Sequence, residues 1–379
     1  MKILFVSEYY IPHIGGVELV LKNVAERLVK LGHNVSIVTS KLPNTLEYEE
    51  INGVKVYRVN VPQKGNRYWF TFFSVFKVWK LAKGVDLIHT TTWNAAFPAW
   101  VVAKLRRKRC VITVHEVNVP TWKYLEKNKL NVLFHKLYEK MVFLLPFDKY
   151  MAVSQYTRDC LINFFDIQDK KIEVIYNGID YGLFDPAKAN GLKIRKKVTL
   201  EDFFVYMTFG RPGFTKGVEY LIQAVPLISE KIPKSKLLLI LADDPKERYE
   251  MILRMIKHLR VEDKIILLDP VPRKELPNYI AAVDCIVVPS LSEGFGFTAA
   301  EACAMGKPVV ATDVASLQEV VSGRYVLVEP RNSEAIAEGV EKVYKGEVEV
   351  WISTYLQFDY KGVWSKHPVL RYLNKIFPK

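Results

Sequence analysis

Short apolar runs and amphipathic stretches of helical period take turns along nearly the whole chain. Residues 3–6, 35–38, 54–59, 87–89, 111–114 and 150–153 read as strands. Residues 203–209, 237–242, 265–268, 285–289, 309–312 and 325–328 repeat the scheme. Between the first two runs, Val17, Val20, Leu21, Val24, Leu28 and Leu31 share one helical face, and Gly32 stops the helix. Further helices are expected over 218–228, 248–259, 276–282, 299–305 and 333–344. Strands alternating with helices predict parallel, doubly wound sheets. The expected fold class is α/β, with two Rossmann-like doubly wound domains facing each other across a cleft. Open α/β sheets bind ligands at the carboxyl ends of their strands, so that cleft is where a ligand belongs.

The length of 379 residues suits two domains. Turn and linker residues cluster over 185–198, including Asp185, Pro186, Asn190, Gly191 and a basic run at 193–197. The expected division is 1–188, 189–346 and an aromatic, basic tail, 347–379, packing back across both domains. Residues 1–6 read as a strand rather than a signal peptide, and no apolar run is long enough for a transmembrane helix. The four cysteines form no CxxC pair, which argues against zinc and dithiol chemistry and suits a reducing cytoplasm. A net charge of +13 points to an anionic partner: nucleotide phosphate, anionic lipid or nucleic acid.

The densest chemistry lies at 290–308. A strand ends at Pro289, and a loop carries Glu293, Phe295, Gly296 and Phe297 into a helix expected to begin near Thr298. A helix start offers unpaired N–H groups and a positive dipole end, both suited to phosphate. Glu301 follows in the first turn, where a carboxylate can grip sugar hydroxyls or close a capping box with Thr298. Glu293, between glycine and aromatic residues, gains little from packing. A second loop brings Arg211 and Lys216 together after a strand. Arginine clamps phosphate oxygens in bidentate fashion and lysine adds a point charge. Gly15 and Gly16 follow the first strand and allow close backbone approach, without dinucleotide-type spacing. His115 stands at a strand's carboxyl end, within reach of a sugar hydroxyl or a reacting centre.

Taken with Ser154 and the stretch Asn177 to Asp180, these motifs resemble the retaining GT-B glycosyltransferases of the family 4 type over roughly residues 1–345. The resemblance implies a nucleotide-sugar donor and transfer with retention of anomeric configuration, without a covalent intermediate. Arg211, Lys216 and the N–H groups of Phe297 and Thr298 would meet the donor diphosphate, with no metal or other cofactor required. Glu301 would bind the ribose and Glu293 the transferred sugar. The Gly15–Gly16 loop would close over phosphate, and His115 would lie near the reacting carbon. The chain departs from the family in Ala242 to Pro245, Asp269 to Pro272 and Ala315 to Leu317, where glycines are usual.

Basic aromatic stretches at 68–83 and 130–147, with the cationic cluster 106–109, make an anionic membrane a candidate partner beside a glycan or lipid-linked acceptor. Buried helices with snorkelling lysines read the same way. The expected location is cytoplasmic, peripheral at the inner membrane face. A nucleotide-sugar epimerase and a non-catalytic nucleotide-sugar-binding protein are the alternatives. Nucleic acid is not expected as a partner, because the basic residues are dispersed and no helix-turn-helix, RNP or zinc pattern occurs.

Overall fold

A computed structural model describes residues 1–13, 15–62, 66–122 and 128–351. The chain divides into two units between Asn177 and Gly178.

The first unit holds strands β1 (Lys2–Val6), β2 (Asn34–Ser40), β3 (Tyr48–Ile51), β4 (Val54–Val59), β5 (Leu87–Thr91), β6 (Arg109–Val114), β7 (Lys149–Ala152) and β8 (Ile172–Val174), in the order β3-β4-β2-β1-β5-β6-β7-β8. All pairings are parallel except β3 with β4. Successive side chains on a strand point to opposite faces. Accordingly Ile3 and Phe5 pack with Leu21, Ala25 and Leu28 of helix Gly16–Lys30. Leu4 and Val6 pack with Phe70 and Val78 of helix Asn66–Leu81 and with Ala99 and Val102 of helix Ala96–Arg106. Both faces are covered, so the strands read as unbroken apolar runs.

The second unit holds β9 (Phe204–Gly210), β10 (Ser235–Leu241), β11 (Ile265–Leu268), β12 (Cys285–Val288), β13 (Val309–Thr312), β14 (Gly323–Val328) and β15 (Glu349–Trp351), in the order β11-β10-β9-β12-β13-β14-β15. Only β15 runs antiparallel to its neighbour. Chain direction across the sheet reverses between β9 and β12, the switch point at which doubly wound sheets open a crevice. Tyr206, Leu237, Leu239 and Val287 are buried with Leu221, Val225 and Ile228 of helix Val218–Lys231.

The linker read from the sequence needs correcting. The basic run 193–197 is no linker: it forms helix Gly191–Lys197, capped by Asn190, whose side-chain oxygen accepts the Lys193 N–H. Arg195 donates to the Ala282 carbonyl at 2.6 Å and pairs with Asp284 at 2.5 Å. A Cβ on Gly191 would meet the Ala281 carbonyl carbon at 2.5 Å. These contacts tie the segment to the second unit, where the expected division at 188/189 already put it; the two compact units part earlier, after Asn177. Of the tail, β15 adds an edge strand; the rest, 352–379, lies outside the described residues. Cys110, Cys160 and Cys285 are buried, and burial raises the pKa of all four thiols, to about 11 for Cys160 and Cys303. Among the described residues no helix is long and apolar enough to cross a membrane.

Candidate active site

In the second unit two loops leave neighbouring strands at the switch point. The loop after β9 runs from Gly210 through a turn at Phe214–Lys216 to Gly217, where helix Val218–Lys231 begins. The loop after β12 runs from Pro289 to Gly296. They are pressed together: the Leu291 N–H donates to the Thr215 carbonyl at 2.6 Å. Gly217 has φ +59°, and a Cβ there would lie 2.0 Å from the Pro289 carbonyl oxygen. Both the left-handed backbone and the missing space require glycine.

Lys216 crosses this seam, its Nζ 2.7 Å from Glu293 Oε1. Ser290 Oγ donates to the same oxygen at 2.8 Å, and Ser316 Oγ donates to the Glu293 carbonyl at 2.9 Å. Glu293 therefore has structural work that the sequence reading did not foresee: it is buried and knits the loop to Lys216. Arg211 reaches toward the β10 edge instead, 3.8 Å from the exposed carboxylate of Asp244. A pair so long and so exposed adds little to stability. Beneath the loop lies Arg248, unmarked by any motif. It pairs with Glu219 at 2.8 Å, and its guanidinium carbon sits 4.4 Å above the Phe214 ring.

The helix after the β12 loop is Phe297–Ala304, one residue earlier than expected, and Gly296 with φ +92° is its N-cap. No side chain caps it, so the capping box of Thr298 and Glu301 does not form. Glu301 lies beyond the N3 position that such a box requires. The first-turn N–H groups, including those of Phe297 and Thr298, have no carbonyl four residues back to bond. Phe295 is buried and packs edge-on against Phe297, centroids 5.2 Å apart. Glu301 is buried and accepts from Arg273 at 2.6 Å. Burial raises its pKa, with Arg273 pulling the other way. Arg273 follows β11 in the loop that the sequence marked only for lacking a usual glycine. A sequence carries no local signal for a pair 28 residues apart.

A cavity of about 520 Å3 lies at the opposite, amino edge of this sheet, lined by Arg195, Asp284, Lys307 and Arg324 among others. Its cations are occupied in bracing the fold: Lys307 donates to the carbonyls of Ala281 and Val283, and Arg324 to that of Gly306. The loops with the phosphate-suited groups lie at the other, carboxyl edge.

In the first unit the corresponding edge gathers Gly15, Gly16 and His115. Gly15 is the extended N-cap of helix Gly16–Lys30. Glu18 folds back over it, so a Cβ on Gly15 would meet Glu18 Oε2 at 2.3 Å. Glu18 also bonds His13 at 3.0 Å. His115 follows β6 directly, and burial lowers its pKa to about 4, against the pull of Glu18. Neighbouring His89, bonded to Thr113 at 2.8 Å, falls to about 3 through burial and the charge of His115. Both rings are neutral at pH 7. The loop after His115 is clamped from helix Lys129–Leu144 by Glu139, which accepts from the Asn118 N–H and the Trp122 indole, each at 2.7 Å. Burial raises Glu139 to about 7, against those two bonds. Trp93, just past β5, adopts φ +71°, an uncommon conformation for a bulky residue, beside Trp122 and Tyr138. Ser154 caps helix Gln155–Phe165 through the Thr157 N–H.

The structure thus brings Lys216, Glu293, Gly296, Phe297 and Thr298 together, with Glu301 on the same helix, and Gly15, Gly16 and His115 on one edge of the other sheet. Arg211 shares the first loop but turns to Asp244.

The family model described as Glycosyltransferase Family 4 matches residues 14–182, and that of Glycosyl transferases group 1 matches 192–361. A glycosyltransferase of Methanocaldococcus jannaschii is 32% identical, over 90% of this chain and 89% of its own. The phosphatidylinositol N-acetylglucosaminyltransferase GPI3 subunit of Saccharomyces cerevisiae is 25% identical, over 84% and 70%. The crystal structure of Anabaena HepE in complex with UDP-glucose superposes with a TM-score of 0.75 at 23% identity, over 92% of this chain and 90% of that one. The likeness in fold is to the GT-B class, and the sequence match extends across both units. The chain belongs to the family 4 type of glycosyltransferases.

Proposed function

We propose that this glycosyltransferase takes its sugar from a nucleoside-diphosphate sugar held by the second unit. It passes the sugar, with retention of configuration, to a glycan or lipid-linked acceptor met by the first. The observation that carries the reading is the seam at the switch point. There Lys216, the β9 loop with Arg211 and the uncapped start of helix Phe297–Ala304 stand on adjacent loops. A departing diphosphate builds negative charge, and fixed cations and N–H dipoles stabilise it as it forms. The acceptor oxygen bonds to the anomeric carbon as the bond from that carbon to the diphosphate oxygen breaks, and the acceptor's proton passes to the departing oxygen. Attack on the face that the diphosphate leaves retains configuration. Glu293 Oε1 is already held by Lys216 and Ser290, which suits a carboxylate that positions the sugar rather than one that attacks it. Neutral His115 suits a hydrogen bond to a sugar hydroxyl near the reacting carbon. Glu301 and Arg273 stand where the nucleoside would follow its phosphates. No metal is assigned a part. HepE, which shares the fold, is described with UDP-glucose, and the yeast relative is named for a lipid acceptor.

Thermal-shift screening against UDP, GDP and ADP and their sugars tests the donor half, because a ligand that binds only the folded state raises the melting temperature by mass action. Labelled donor and anomeric analysis of the product test the rest. If no nucleoside diphosphate raises the melting temperature, the donor reading fails. If labelled donor yields only epimer, the epimerase reading replaces it.

A further inference from the structure

The helices whose sequence suits either a membrane or a core leave much of their apolar surface in water. On helix Asn66–Leu81, Trp69, Phe72, Phe73 and Phe76 are exposed, Phe72 to 65% and Phe76 to 76%. Their spacing puts them on one side, while Phe70, Ser74 and Val78 face the core. Helix Lys129–Leu144 repeats the arrangement: Leu130, Leu133, Phe134, Leu137, Met141 and Leu144 form a continuous outward stripe, with Leu130 exposed to 75%. Its inward side carries Glu139, Val142 and Phe143. The two ridges adjoin, since Tyr68 meets Tyr138 edge-on, centroids 6.5 Å apart. Folding alone gives no reason to leave two adjoining apolar ridges in water, and a contiguous patch of this kind marks an interaction surface.

The charges choose the partner. The first helix carries Arg67, Lys77 and Lys80 and no acidic residue; the second carries Lys129, Lys136 and Lys140, and its one carboxylate, Glu139, is buried. At the end of the first helix, Arg106 lies 3.7 Å over the Trp79 ring and brings the cluster Arg106 to Arg109 beside it. A second copy of this chain, docking by the same face, would set cations against cations. An anionic bilayer satisfies both features, apolar side chains entering the acyl boundary and lysines meeting headgroups.

We infer that the outward faces of helices Asn66–Leu81 and Lys129–Leu144 dock this enzyme on an anionic membrane surface. This deepens the acceptor half of the function proposed above and rests on it, for a lipid-linked acceptor lies at that surface.

The test uses the full chain without donor, sedimented with vesicles of phosphatidylcholine alone or mixed with phosphatidylglycerol. The protein pellets with the anionic vesicles at low salt and is released at high salt. Phe72→Ser with Phe76→Ser weakens binding about tenfold or more, since each loses an aromatic ring from the apolar boundary. Lys80→Glu with Lys140→Glu removes the preference for phosphatidylglycerol. All these side chains are exposed, so the melting temperature and its shift by a nucleoside diphosphate stay as in the parent, and that shift reads the donor site separately. Three results overturn the inference. One is a protein that stays in the supernatant with anionic vesicles. Another is binding indifferent to Phe72 and Phe76. The third is a dimer in solution that those two substitutions dissociate, which gives the face to a second copy.

Discussion

The two sheets carry similar loops at their carboxyl edges and use them differently. In the second unit the loops after β9 and β12 are locked to each other, with Lys216 bonded to Glu293 and Gly217 against Pro289. In the first unit the glycine loop is met by its own carboxylate, Glu18, and the buried rings of His89 and His115 are neutral. One edge sets a lysine beside a helix start; the other sets neutral imidazoles close to aromatic rings. The contrast teaches that a shared topology leaves chemistry to the loops.

The harshest way to break the contrast is Gly217→Ala. The added methyl meets the Pro289 oxygen and the backbone is left-handed, so a loss of about 2–4 kcal/mol in the second unit is expected from overpacking and strain. Chemical denaturation reads it. Ala at Gly32, also left-handed but with open space around its Cβ, serves as the milder control, at about 1 kcal/mol.

Next comes Lys216→Ala. If the cradle neutralises the leaving group, turnover falls about 100-fold or more, as for loss of one donor to a developing oxyanion. Melting temperature moves far less, because the lysine is half exposed and Ser290 still holds Glu293. Turnover equal to the parent's would remove Lys216 from the mechanism.

A smaller effect sharpens the first unit's side. His89 and His115 bind protons less readily folded than unfolded, with folded values of about 3 and 4. Their contribution to stability is therefore complete above the ordinary imidazole value near 6.5 and is lost as pH falls toward 4. Glu139 has the opposite sign: with a folded value of about 7 it takes up protons in the native state, so its contribution falls as pH rises from the ordinary carboxylate range through 7. Between pH 6.5 and 5 two imidazoles outweigh one carboxyl, and the denaturation midpoint of the first unit should decline. Histidine NMR titration should find both rings still neutral at pH 5. The smallest effect expected is that of a chelator: removal of divalent cations should leave turnover unchanged, since arginine, lysine and N–H dipoles are assigned the neutralising role.

Much of this was legible in the chain itself because strands buried on both faces advertise themselves as short apolar runs. Runs 3–6, 111–114 and 285–289 all became strands, and glycine loops follow the first and the last of them. What stayed hidden depends on neighbours distant in sequence. Arg273 finds Glu301, Arg248 braces Phe214 and Glu139 clamps Trp122 only after the sheet is folded. The capping box at Thr298 was a fair local reading, but Gly296, held against Leu317, takes the cap position first. The basic run 193–197 looked like a solvated linker, yet Ile194 is buried and Arg195 finds Asp284. The sequence marked 130–147 only as a basic, aromatic stretch, without revealing which side of a helix there meets water. That depends on Glu139 turning inward.

The contact between Gly217 and Pro289 has a consequence for anyone redesigning donor choice. Residues 210–217 and 289–296 behave as one cassette, because the backbone of each is the wall against which the other is shaped. Grafting either segment alone from a relative would import a shape moulded to a different mate; transplanting both together keeps the fit.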